Sequence, residues 1–241
     1  MSTRIKFHIS VSVMAMVFLF AGCKKDPAIS NTPTNVTVSN VKSQITTSPT
    51  GVMDTFVYTY DSNGRQLSNQ TDTVVTSYVY ASGTVTMNIA LAGETFTTIY
   101  NTNTAGLATS DNKGDSYGYN SLGYLTILSH AVSGGYDSTA YTIVNGNVTT
   151  SVQHQIDATT NNTVTITYTY LSTIDSRNFG LAFLGKQNTN LISTENITQV
   201  INGSTYSGSY TYTYTFDSKG RVVQQLQASG SDTYTTSYTY Y

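Results

Sequence analysis

The chain has 241 residues, of which 10% are charged, with 11 basic against 13 acidic side chains and a net charge of −2. That balance lacks the basic surplus that nucleic-acid binding needs, so nucleic acid is not expected as a partner. Twenty tyrosines, no tryptophan and one cysteine leave no internal disulfide and point to a chain built on tyrosine.

Met1 to His8 carry Arg4 and Lys6 without an acid, Ile9 to Phe20 are almost wholly apolar, and Ala21-Gly22-Cys23 follows. The apolar run is shorter than the roughly 20 residues a helix needs to cross a bilayer, so residues 1–22 read as a signal peptide. Leu-Phe-Ala-Gly-Cys resembles a bacterial lipobox, although Phe20 stands three before the cysteine where the pattern prefers an aliphatic residue. The resemblance implies lipidation of Cys23 and attachment to a membrane through that lipid. Cleavage there removes Arg4 and Lys6, leaving nine basic against 13 acidic side chains and a net charge of −4. Lys24-Lys25-Asp26 is similar to the charged leader of Bacteroidota lipoproteins, some of which are exported to the cell surface. Residues 23–34 then form a tether, and residues 35–241 a single β domain in which Val36, Val38 and Val41 suggest the first strand.

All three prolines, Pro27, Pro33 and Pro49, lie before Gly51. Proline removes a ladder donor, so its absence from Gly51 to Tyr241 suits a long series of paired strands. Within that stretch the hydrophobic pattern has period two. In Thr163 to Tyr170, TVTITYTY, Val164, Ile166, Tyr168 and Tyr170 share one face and four threonines the other. Tyr210 to Phe216, YTYTYTF, repeats the device. Short turn signals, among them Ser82-Gly83, Ala92-Gly93, Asn145-Gly146, Asn202-Gly203 and Ser229-Gly230, join such runs too tightly for a parallel crossover. The expectation is an all-β, antiparallel meander of about a dozen strands, curled or closed into a barrel.

Asp61-Ser62-Asn63-Gly64 fits a type I turn with a glycine bulge, the aspartate accepting from backbone two residues on and Gly64 left-handed. Asn120 to Gly123 and Asp217 to Gly220 are related, with weaker copies at Asp111 to Gly114 and Asn101 to Gly106. Tyr-x-Tyr-Asp-x-x-Gly-Arg is similar to the YD repeat of bacterial Rhs proteins, matched by Tyr58, Tyr60, Asp61, Gly64 and Arg65. Tyr214, Phe216, Asp217, Gly220 and Arg221 match it again. The array and cargo domain of a toxin shell are absent from the sequence. A wider resemblance is to secreted Bacteroidota lipoproteins of a domain-of-unknown-function family with a porin-like fold. It rests on Cys-Lys-Lys-Asp, on Asn190-Leu191-Ile192 before a strand and on the closing Tyr-Thr-Phe-Asp-Ser-Lys-Gly-Arg. It implies a barrel-like antiparallel sheet and supplies no catalytic residues. Arg177 to Lys186, RNFGLAFLGK, breaks the alternation and reads as a plug for one end of the sheet, or as a lid over a site.

The chemical inventory is thin. Glutamate occurs only at Glu94 and Glu195. His130 and His154 have no metal-ligand partner nearby in sequence, so neither a metal nor another cofactor is expected. Asp111 and Asp115 around Gly114 resemble a calcium loop, but Lys113 opposes a cation and a turn is the expected reading. Glu94 with Asp157 could act as a distant glycosidase pair only if the fold brought them together. The tyrosines are the stronger lead. Tyr168, Tyr170, Tyr212 and Tyr214 either pack the sheet or offer a platform on which a glycan or peptide stacks and hydrogen-bonds. An integral outer-membrane barrel is disfavoured because neither face of Ser209 to Phe216 is an aliphatic band. The expected protein is a non-catalytic binding or scaffold lipoprotein of the outer membrane.

Overall fold

The structure, a computed structural model, describes residues 36–132, 134–156 and 161–241. The expected signal peptide and tether, with Cys23, and the glycosidase candidate Asp157 lie outside the described residues. Seventeen strands follow one another: β1 (Ser39–Thr47), β2 (Met53–Tyr60), β3 (Gln66–Gln70), β4 (Val74–Ala81), β5 (Thr84–Leu91) and β6 (Glu94–Thr102). Next come β7 (Ala108–Asp111), β8 (Asp115–Tyr119), β9 (Leu125–Val132), β10 (Gly135–Val144), β11 (Asn147–Ile156) and β12 (Asn161–Ile174). The last are β13 (Arg177–Asn178), β14 (Asn190–Ile201), β15 (Ser204–Phe216), β16 (Val222–Ser229) and β17 (Asp232–Tyr240).

Sixteen of these strands pair antiparallel with their neighbours, and β1 pairs with both β2 and β17, so the sheet closes into a barrel. The two-residue β13 is the exception, lying parallel to the start of β1 while β12 pairs directly with β14. The meander is thus longer than the dozen strands expected from the pattern, and it is closed. Its first strand starts at Ser39, leaving Val36 and Val38 before it, while Val41 is fully buried.

A barrel of this size leaves a wide lumen unless something fills it. Tyrosine and a plug fill one half. Ile166, Tyr168, Tyr212 and Tyr238 are buried on the inner face, and the intervening threonines and serines face out. Outer hydroxyls pair across strands, as Ser43 with Thr239 at 2.7 Å, Thr59 with Ser68 at 2.7 Å and Thr169 with Thr194 at 2.6 Å.

The segment between β12 and β14 folds back across one end. Phe183, in a single 3-10 turn at Ala182–Leu184, packs among Tyr78, Val85, Met87 and Tyr100, and Phe179 packs edge-on against Tyr58. Burying the Phe183 ring contributes about 2 kcal/mol, and the half-buried Phe179 contributes less. Backbone bonds stitch this plug to the surrounding turns: the Gln66 amide donates to Gly180, Lys186 to Gly123 and Thr189 to Gly146. It is docked as a plug.

The Asp-x-x-Gly-Arg turns lie at the plugged end and owe their sequence to geometry. Asp61 Oδ1 accepts the amides of Asn63 and Arg65, both at 2.9 Å, while Oδ2 takes Nε and Nη2 of Arg65 at 2.7 and 2.6 Å. The guanidinium face then rests 4.4 Å from the Tyr80 ring centre on β4. Asp217 holds Arg221 in the same way, and Arg221 lies 4.7 Å from the Tyr240 ring on β17. Each arginine thereby ties its own hairpin to the neighbouring strand. Asn103, Asn120 and Asp111 make the same two side-chain-to-amide bonds without an arginine. The Asp111 loop is therefore a turn, its carboxylate committed to backbone and to the Tyr117 hydroxyl.

Candidate functional site

The inner face changes character along the barrel axis. On β6, Tyr100 near the plugged end is 6% exposed, whereas Phe96, on the same face at the far end, is 48% exposed. On β15 the same progression runs from Tyr212 at 6% to Tyr206 at 58%. Asp54 on β2 and Leu91 on β5 are likewise exposed while inward neighbours nearer the plug are buried. The end opposite the plug is open, and its mouth is the concave surface available to a ligand.

Within the wall of that half, antiparallel register sets His130 between two carboxylates, opposite Asp115 on β8 and Asp137 on β10. His130 Nδ1 lies 2.7 Å from Asp115 Oδ1, and Asp137 Oδ1 accepts Gln153 Nε2 at 3.2 Å. Burial, then the neighbouring Asp111, pushes the Asp115 carboxyl up, and His130 opposes the shift. Residue-by-residue reading missed this row because no partner of His130 is near in sequence. Counting outward from the Asn120–Gly123 turn, with one residue allowed for its bulge, pairs Asp115 with His130. Among the described residues no group of three or more His, Cys, Asp or Glu has a metal-binding arrangement.

A second inward cluster centres on Glu195, which is 1% exposed. Its Oε2 accepts the Tyr212 hydroxyl at 2.8 Å, and its Oε1 has no hydrogen-bond partner among the described residues. Burial pushes the carboxyl up to about 7, against the Tyr212 bond, which favours the charged form. Tyr168 faces Glu195 across the β12–β14 pair. Its hydroxyl is pushed up first by burial and then by that carboxylate, with Ser151 opposing.

All four tyrosines singled out in the sequence share the inner face. The Tyr170 hydroxyl donates to the carbonyl of Val148 and that of Tyr214 to Ile192, the latter at 3.0 Å. The Tyr212 and Tyr214 rings stack at 6.3 Å with 8° between planes. The arrangement can pack, and it can hold a proton at Glu195. Glu94 sits exposed at the mouth, and His154 lies on the outer wall beside Thr163.

Charge is divided along the axis. Among the described residues the open half carries Asp54, Asp72, Glu94, Asp111, Asp115, Asp137 and Asp232 against the lone base Lys113. The plugged end carries Lys42, Arg65, Arg177, Lys186, Lys219 and Arg221 against Asp61, Asp175 and Asp217. A cleft of about 290 Å³ there is lined by Asn40, Thr59, Tyr60, Asp61 and Tyr241. Its polar groups are already engaged: Tyr60 donates to the carbonyl of Val41, Tyr241 to that of Tyr58, and Asp61 holds Arg65.

No protein-family model matches the chain, and no curated protein does. Among solved structures it is similar to a porin-like protein from Bacteroides uniformis, with a TM-score of 0.56 and 17% identity over 83% of this chain and 98% of that one. A porin-like protein from Bacteroides vulgatus gives a TM-score of 0.48 and 13% identity over 84% and 99% of the two chains. The first likeness is one of fold, an antiparallel barrel covering nearly all of the solved chain.

Proposed function

We propose that this chain is a lipid-anchored barrel of the outer membrane, with a non-catalytic role in binding or scaffolding at the cell envelope. The observation that carries the reading is the polarity of the wall. A barrel that crosses a bilayer turns aliphatic side chains outward and polar ones inward. Here the outer face of β12 is Thr163, Thr165, Thr167 and Thr169, and that of β15 includes Thr211, Thr213 and Thr215, while the aromatic rings point inward. Elsewhere the outer aliphatic side chains, Ile45, Val57, Val75, Val79, Ile99 and Ile127, stand among hydroxyls such as Ser43, Thr59, Ser77, Thr97 and Ser129, so on this reading attachment comes from outside the barrel. Cys23, behind its signal peptide, supplies it as the site of lipidation. The ligand on this reading is a glycan or peptide taken at the open mouth, where Phe96 and Tyr206 stand exposed among acidic and amide side chains.

Replacing Cys23→Ser tests the anchor. The variant is expected to lose fatty-acid labelling and to leave the membrane fraction. A variant that is still labelled, or that stays bound after a high-salt wash, would overturn the reading.

A further inference from the structure

The barrel joins its tether at the positively charged end. Ser39, the first residue of β1, donates its amide to Ser176 of the plug, so the chain coming from Cys23 arrives at the plugged end. Length biases the posture without fixing it. Sixteen positions separate Cys23 from Ser39, a chain length whose random-coil span is roughly 22 Å, and eight-residue strands tilted as in a barrel rise roughly 20 Å. A spacer of that length lets either end of the barrel reach the bilayer.

Charge decides between the two. At the plugged end Arg65, Arg177 and Arg221 are each paired with an aspartate. Lys42, Lys186 and Lys219 are exposed, and none has an ion-pair partner among the described residues. Lys42 and Lys186 lie over the rings of Tyr241 and Tyr124, which leaves their charge uncompensated. The open end has the opposite surplus, with exposed Asp54, Asp72, Glu94 and Asp232. Near an anionic bilayer each lysine favours contact about fivefold, and each rim carboxylate opposes it through the same field.

We infer that the barrel stands on its plugged end against an anionic lipid headgroup surface, with its acidic mouth facing away from the membrane. This rests on the lipid anchor proposed above. The posture makes the mouth the part of the molecule that a ligand in solution meets first. It also lets the docked plug, rather than the lumen, face the headgroups.

The test uses the lipidated full chain in vesicles containing phosphatidylglycerol and a headgroup-linked quencher. A fluorophore is attached through Ser218→Cys in the plugged-end turn, or through Ser231→Cys in an open-end turn. Strong quenching is expected at position 218 and weak quenching at 231. The difference should shrink in high salt, in phosphatidylcholine vesicles and in a variant combining Lys42→Glu, Lys186→Glu and Lys219→Glu. Equal quenching at the two positions, or the reverse order, overturns the posture even when the protein is firmly bound. A difference indifferent to salt and to the three lysines overturns the headgroup contact. Protein that does not associate with vesicles at all overturns the anchor itself, and the posture falls with it.

Discussion

Glu195 is the residue at which burial and charge conflict most. A carboxyl held at about 7 keeps its proton in the folded chain while the unfolded chain has already released it. Stability through this group therefore falls as the pH rises from about 4.5 to about 7, by up to about 3 kcal/mol. Glu195→Gln is expected to flatten that slope and to melt above wild type on the alkaline side. Melting curves across the window check it, and an unchanged slope would count against the buried carboxyl. Tyr212→Phe in the same series should cost about 1–3 kcal/mol at alkaline pH and less at acid pH, because it strips a hydrogen bond from a buried charge. Tyr170→Phe loses only a bond to a backbone carbonyl, about 1 kcal/mol with little dependence on pH, whereas Tyr214→Phe loses its bond to Ile192 and also the interaction of its hydroxyl with Arg177.

Among elements, the plug and its turns make the sharpest contrast. A Cβ on Gly180 would lie 2.6 Å from both the Gln66 amide nitrogen and the Gly64 carbonyl oxygen, backbone atoms that cannot yield, and its φ is +69°. A Cβ on Gly64, also left-handed, meets only the Asn40 side chain at 3.3 Å. Gly64→Ala should therefore cost about 1 kcal/mol and Gly180→Ala about 3 kcal/mol, read from denaturant midpoints. Equal costs would mean that the plug is not docked on the β2–β3 turn. The strands themselves were legible where threonine alternates with apolar or tyrosine side chains, as in Thr163 to Tyr170 of β12 and Tyr210 to Phe216 of β15. The shortfall in the expected count has a local cause. β3, β7 and β8 are four or five residues long, and sequences such as Gln-Leu-Ser-Asn-Gln carry no apolar alternation of their own, being held by the longer strands beside them. The turn chemistry was readable because it is local. The Asp115–His130–Asp137 row and the Glu195 cluster were not, since they depend on register accumulated across several hairpins.

For the molecule as a whole, hydroxyl groups cover the outer face of β12 and much of β15 and are mixed with aliphatic side chains on β1, β2, β4, β6 and β9, while rings and acids line the lumen, unlike the aliphatic outer band and polar interior of a membrane barrel. A chain beginning after Cys23 is thus expected to stay monodisperse without detergent, as sedimentation would show. Aggregation relieved by detergent would argue for an outer face that seeks lipid. Closure of the ring adds a kinetic consequence. The seam between β1 and β17 joins Ser43 to Thr239, 196 positions apart in sequence. Apart from the two-residue β1–β13 bridge, every other strand pairing is between elements consecutive along the wall and can form by local zippering. The seam requires the last strand to find the first, so it carries the greatest loop-closure entropy and completes folding late. Until it forms, β1 and β17 are two bare edges able to recruit strands from other chains. Once it has formed, the sheet offers no such edge, and protection from aggregation comes in one step with the final pairing.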